Sequence, residues 1–137
     1  MSARAEAAAR FAGAPVARLA TADANARPHV VPIVFAVRED TVYTAVDGKP
    51  KSTRRLRRLA DIEANPAVSV LVDHYTDDWS RLWWVRADGT AELHRDGAAV
   101  DTAHALLRAK YPQYDEVELA TPVIVVAVHR WTWWLGS

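Results

Sequence analysis

Six cations fall within the ten residues from Lys49 to Arg58: Lys49, Lys51, Arg54, Arg55, Arg57 and Arg58, with no carboxylate among them. The whole chain balances 17 basic against 17 acidic residues, so the patch is local. Lys49 and Lys51 are two apart, and in an extended loop both ammonium groups point the same way. Ser52 and Thr53 follow, with hydroxyls and backbone N–H groups at an expected helix start. Cations, hydroxyls and a helix N-terminus together favour a phosphate. The competing reading is a solvated basic helix face. Against it, the run begins in a Gly/Pro loop after a strand, where ligand-binding loops commonly sit on a scaffold.

Other chemistries find less support. The chain has no cysteine, which removes thiolate nucleophiles, disulfides and thiolate metal sites. His74, His94, His104 and His129 are scattered without metal-ligand spacing, and no metal site is expected. No Ser-His-Asp or paired-carboxylate arrangement stands at persuasive spacing, so no catalytic residue is assigned; His29, Tyr75 and Arg81 are the polar candidates for supplying a proton. Trp83, Trp84, Trp131, Trp133 and Trp134 read best as core or interface residues. Trp79, in a polar loop with Asp77, Asp78 and Ser80, has a poorer packing explanation.

The elements that must carry these residues can be read in order. Strong helix formers in "ARAEAAARFAGA" end at Gly13 and Pro15. "PVARLATA" is a short strand, and "PHVVPIVFAVRED" a second with His29, Val31, Ile33 and Phe35 on one face. Pro32 marks an edge, a bulge or a place where something other than a strand lies alongside. "DTVYTAV" is its hairpin partner. A helix from Ser52 or Thr53 to Asn65-Pro66 has Leu56, Leu59, Ala60 and Ala64 as its apolar stripe. "AVSVLVDHY" is a strand, "TDDWS" a loop, and "RLWWVRADGTAEL" a long strand with a bulge or bend at Gly89. A second amphipathic helix ends at Pro112, and "TPVIVVAVHRWTWWL" is the last strand. The expected product is one domain over residues 1–137, mainly β in an α+β arrangement, with about six strands and two or three helices, closed as a barrel.

The order "ARPHVVPIVFAV", "TVYTAVDGKPKS", basic helix, "AVSVLVDHY", "DDWSRLWWVRADGTAEL" and "YPQY" resembles the split-barrel flavin and deazaflavin family that includes the pyridoxamine-5′-phosphate oxidases. Within it, the chain is most similar to the coenzyme F420-dependent oxidoreductases of actinobacteria. The resemblance runs from about Val16 to Trp134. It implies a homodimer of six-stranded split β-barrels with two cofactor sites at the interface. It further implies that Lys49, Lys51 and Ser52 hold the cofactor phosphate, and that His29, Val31, Pro32 and Ile33 line the ring. Tyr43 and Thr44 would lie near the ribityl chain, and Trp79, Ser80 and Arg81 would cover the partner's ring. The chain ends "HRWTWWLGS", without the Arg-Leu-x-Pro type of segment with which the oxidases bind substrate phosphate, which speaks against vitamin B6 oxidation.

Flavin mononucleotide (FMN) ends in one phosphate, whereas the deazaflavin F420 continues into an oligoglutamate tail, for which Arg54, Arg55, Arg57 and Arg58 would form an electrostatic groove. The expectation is an F420-dependent reductase passing hydride to a small unsaturated or quinone-like substrate. FMN chemistry on the same fold, or a non-catalytic carrier of the coenzyme, are the alternatives. An RNA- or phosphopeptide-binding module is more remote: Lys49 to Arg58 lacks the aromatics that single-strand binders interleave with cations, and zero net charge argues against a general nucleic-acid binder. No leader of signal-peptide type and no run near the roughly 20 apolar residues of a membrane span is apparent. The expected location is the cytoplasm, with no membrane partner.

Overall fold

The computed structural model describes the backbone of residues 2–47 and 53–136, and the side chains of these except 46–47 and 53–56. Ser2 opens the first helix, α1 (Ala3–Gly13): its Oγ accepts from Ala5 N at 3.1 Å, and a Glu6–Arg10 pair at 2.8 Å follows one turn on. The strands are β1 (Ala17–Ala22), β2 (Pro28–Ile33), β3 (Ala36–Arg38), β4 (Thr41–Asp47), β5 (Ala67–His74), β6 (Trp83–His94) and β7 (Leu119–Trp134). Two more helices, α2 (Thr53–Ala64) and α3 (Ala98–Lys110), complete the elements, with 3₁₀ turns at Trp79–Arg81 and Pro112–Asp115. All strands join one antiparallel sheet in the order β2-β1-β5-β6-β7-β4-β3. The mainly-β class with three helices is as expected. Among the described residues no helix is long and apolar enough to cross a membrane.

The strand count differs from the six expected because "PHVVPIVFAVRED" is two strands. It breaks at Val34–Phe35, where side chains replace the ladder. The Tyr111 hydroxyl accepts from Phe35 N (3.1 Å) and lies within hydrogen-bond distance of Phe35 O (3.0 Å) and Pro15 O (2.9 Å). Lys110 Nζ donates to Phe35 O (3.0 Å), and Thr44 Oγ1 to Val34 O (2.7 Å). No backbone group of Phe35 is left without a partner, so the break is stable despite its burial. The ends β2 and β3 of the sheet are thereby joined across the split of the barrel.

The inner core gathers Leu19, Ile33, Val42, Val70, Val85 and Val126 around Phe11, whose ring meets Phe35 and Trp131 edge-on at 5.2 and 5.0 Å. Phe11 is fully buried and so ties α1 into the barrel; burial of such a side chain stabilises by about 2–3 kcal/mol. A second core packs Val100, Ala103 and Leu107 of α3 on Tyr43, Ala45 and Val123 of β4 and β7. At Gly89 the β6–β7 register shifts, the bulge expected there; a Cβ would stand 2.2 Å from Ala127 O. On α2 the stripe expected through Ala60 and Ala64 is displaced. Both alanines are exposed, while Asp61 and Ile62 are buried. Ile62 has more apolar surface to hide, and Asp61 is tolerated because Thr21 Oγ1 donates to its Oδ2 at 3.0 Å.

Candidate functional site

Pro32 sits in β2, the edge strand of the sheet. Val30 and Pro32 face outward and are exposed; His29 and Val31 are half-buried and Ile33 is buried in the inner core. His29 is paired with Thr21 across the β1–β2 ladder, so both share the inward face. There, α2 brings Asp61 to Thr21 and Arg57, whose Nε lies 3.9 Å from Asp61 Oδ2. A polar cluster of Thr21, Asp61 and Arg57 therefore lies where the basic helix meets β1, with His29 beside Thr21 across the ladder. Buried polar groups normally find partners, but the buried His29 Nδ1 is left without one among the described residues.

The other candidates are placed as follows. Lys49, Lys51 and Ser52 lie outside the described residues. Arg54 and Arg55 are in the first turn of α2, directly after that segment, with side chains outside the described set. Tyr43 and Thr44 point to opposite faces of β4: Tyr43 into the core under α3, Thr44 across the split to Val34. Trp79, Ser80 and Arg81 form an exposed turn beyond the end of β5, at the Ile33 end of the sheet and away from His29. Within one chain, then, the turn is not brought to the α2 cluster. It is a defined turn. Asp78 Oδ1 accepts from Ser80 N (3.1 Å) and Ser80 Oγ (2.6 Å), bonds that hold its carboxyl below the usual carboxylate range. Gly136, at φ 74°, packs where a Cβ would meet Ser80 O at 2.7 Å and Leu82 O at 2.8 Å. Trp79 remains 76% exposed, which packing within the chain does not account for.

Two features lie outside the sequence expectations. Asp61 is a buried carboxylate beside Ile62 on α2, and the half-buried Lys110 has its ammonium 3.8 Å from the Phe35 ring centroid. Burial lowers the Lys110 pKa to about 8. A carboxylate eight residues after Thr53, at helical spacing from Arg57, is the one sequence signal that could have pointed to Asp61. Among the described residues no group of three or more His, Asp or Glu could hold a metal ion.

The sequence pattern described as "Pyridoxamine 5′-phosphate oxidase" matches residues 3–135. A search of curated protein sequences finds no match. Among solved structures, an FAD-binding protein of Mesorhizobium loti is 24% identical with a TM-score of 0.69, covering 97% of this chain and 94% of that one. The FAD-binding protein of Mycobacterium smegmatis is 20% identical with a TM-score of 0.63, covering 97% and 93%. The heme storage protein HutZ of Vibrio cholerae is 15% identical with a TM-score of 0.73, covering 99% and 96%. At these identities the likeness is one of fold.

Proposed function

We propose, from the premise that this chain belongs to the pyridoxamine 5′-phosphate oxidase family, that it is an oxidoreductase dependent on coenzyme F420. Its acceptor would be a small unsaturated or quinone-like molecule. FMN on the same site is the alternative cofactor, and a non-catalytic carrier of the coenzyme the alternative role. The observation that carries the reading is the His29 nitrogen: buried and without a partner among the described residues, on the edge strand whose neighbour meets the basic helix through Thr21 and Asp61. That arrangement fits a ring with polar edge atoms joined to an anionic tail.

The residues would divide the work. Lys49, Lys51 and Ser52 would hold the phosphate, with Arg54, Arg55 and Arg58 as a further positive field for tail carboxylates. His29 and Val31, half-buried on one face of β2, would position the ring, His29 by hydrogen bond and Val31 by excluding water; within one chain Pro32 faces the other side and Ile33 is buried in the core, so neither side chain shares that contact. Thr44 would act through the backbone it holds, fixing Val34 at the end of that strand. Trp79, Ser80 and Arg81 would cover the site of a second copy in a homodimer. When bound, the cofactor supplies hydride chemistry, which no side chain here can provide. Acid–base help is needed only for one proton, for which His29, Tyr75, Arg81 and water are the sources.

Titration of purified protein with F420 and with FMN, at low and high salt, tests this. The expected result is tighter F420 binding at low ionic strength, with the advantage shrinking as salt screens exposed charges beyond about 8 Å. A preference for FMN at every salt concentration would replace the cofactor; binding of neither would remove the function.

A further inference from the structure

Beyond the edge strand, the segment Pro15–Val16 is a wall shared by two grooves of about 380 and 550 Å³. The smaller is apolar, formed with Val34, Tyr111, Tyr114 and Val117. The Tyr111 hydroxyl is spent on Phe35 and Pro15, so this residue offers the groove its ring. Val34 is the first residue after β2, so the groove opens at the Ile33 end of the strand read above as lining the cofactor ring. The larger groove differs in character. Arg10 and His74 each engage the Trp83 ring there, at 5.4 and 5.9 Å, which leaves that indole little free surface for stacking. Arg10 is also paired with Glu6. The side chain of Arg18, exposed on the same groove, makes neither a hydrogen bond nor an ion pair with any described residue. Asp73 on the opposite strand disfavours a second negative charge nearby.

We propose that these grooves together form the acceptor site, taking a molecule with a planar apolar body and a single anionic group. The body would lie over Val34 and Tyr111, and the anion would reach past Val16 to Arg18. Val16 directly precedes β1 and Arg18 is its second residue, a separation of about 7 Å at the rise of a strand. That is the reach of a fused ring bearing an acidic substituent. The assignment rests on the cofactor reading for its role as acceptor site, while the grooves themselves do not depend on it.

Two dyes with one body separate the contributions: 8-anilinonaphthalene-1-sulfonate carries the anion and N-phenyl-1-naphthylamine lacks it. The Arg18→Gln variant is expected to weaken the sulfonate about tenfold and leave the neutral dye unchanged, as loss of one charge-assisted contact would. Val16→Asp, at a side chain 40% exposed, is expected to weaken both dyes, with the sulfonate weakened more. Far-UV circular dichroism and the urea midpoint of both variants should match the parent, which shows that each is folded. Unchanged sulfonate binding in Arg18→Gln, or unchanged binding of both dyes in Val16→Asp, overturns the proposal. If neither cofactor binds the unaltered protein, the acceptor role falls with the proposed function, whatever the dyes do.

Discussion

Arg57 already has a partner on its own helix, the buried carboxylate of Asp61 at 3.9 Å. It is therefore partly committed before any ligand arrives, whereas Lys51 precedes the helix and is read as meeting the phosphate directly. Lys51→Ala should weaken cofactor binding by about 1.5–3 kcal/mol, roughly ten- to a hundred-fold. Arg57→Ala should weaken it by less, since an exposed pair contributes only about 0–1 kcal/mol. Isothermal titration of both variants decides; equal losses would return the basic run to a solvated face. At this scale the sequence offers what residue type announces, as the lysine pair does, and that pair lies outside the described residues. The site was not legible where a side chain's role depends on what folds against it. Nothing local marks Asp61 as buried until Thr21, forty positions earlier, is set beside it.

At the scale of elements, strand content, the Gly89 bulge and the edge position of Pro32 could be read from alternation and from what glycine and proline permit. The break between β2 and β3 could not, because Val34 and Phe35 are as apolar as a continuing strand. What cuts the ladder is Lys110 and Tyr111, about 75 residues away in the chain. Their strap has a pH signature. Burial lowers the Lys110 pKa to about 8, from 10.5. Between these values the unfolded chain binds more protons, so this group's contribution to stability rises with pH over that window and is lost as pH falls through about 8. Tyr111 is shifted upward by burial from 10.0; its contribution is present below that value and is lost as pH rises through the raised pKa. Urea midpoints measured from pH 7 to 10 should therefore climb more steeply in the parent than in Lys110→Met. Parallel profiles would mean that the amine is not desolvated in solution.

Across the whole molecule, the described parts of the helices leave one broad sheet face bare. The ladders place Leu71, Arg86 and Thr132 in one row inward of Arg18 and Pro32 at the margin, and Asp73, Trp84 and Trp134 in the next. Tyr75 and Trp134 there are 63% and 54% exposed, and exposed aromatics on a face of mixed polarity commonly serve association. A homodimer through it is the expected state. Sedimentation at micromolar protein should give twice 15.2 kDa, and Trp84→Asp should give the single mass; a monomeric parent would sink the idea. The face is available for this while the margin beside it is shut. Pro28, Val30 and Pro32 share one parity along β2, and a proline is tolerated in an edge strand where its nitrogen looks away from the neighbour. Two of the three amides that could look outward along this stretch are therefore missing. A stray strand that docked there would find almost nothing to donate to it, so the rim resists templated fibre growth. Restoring those amides with Pro28→Val and Pro32→Val should shorten the lag of thioflavin-positive aggregation on partial unfolding. An unchanged lag would mean that the safeguard lies elsewhere.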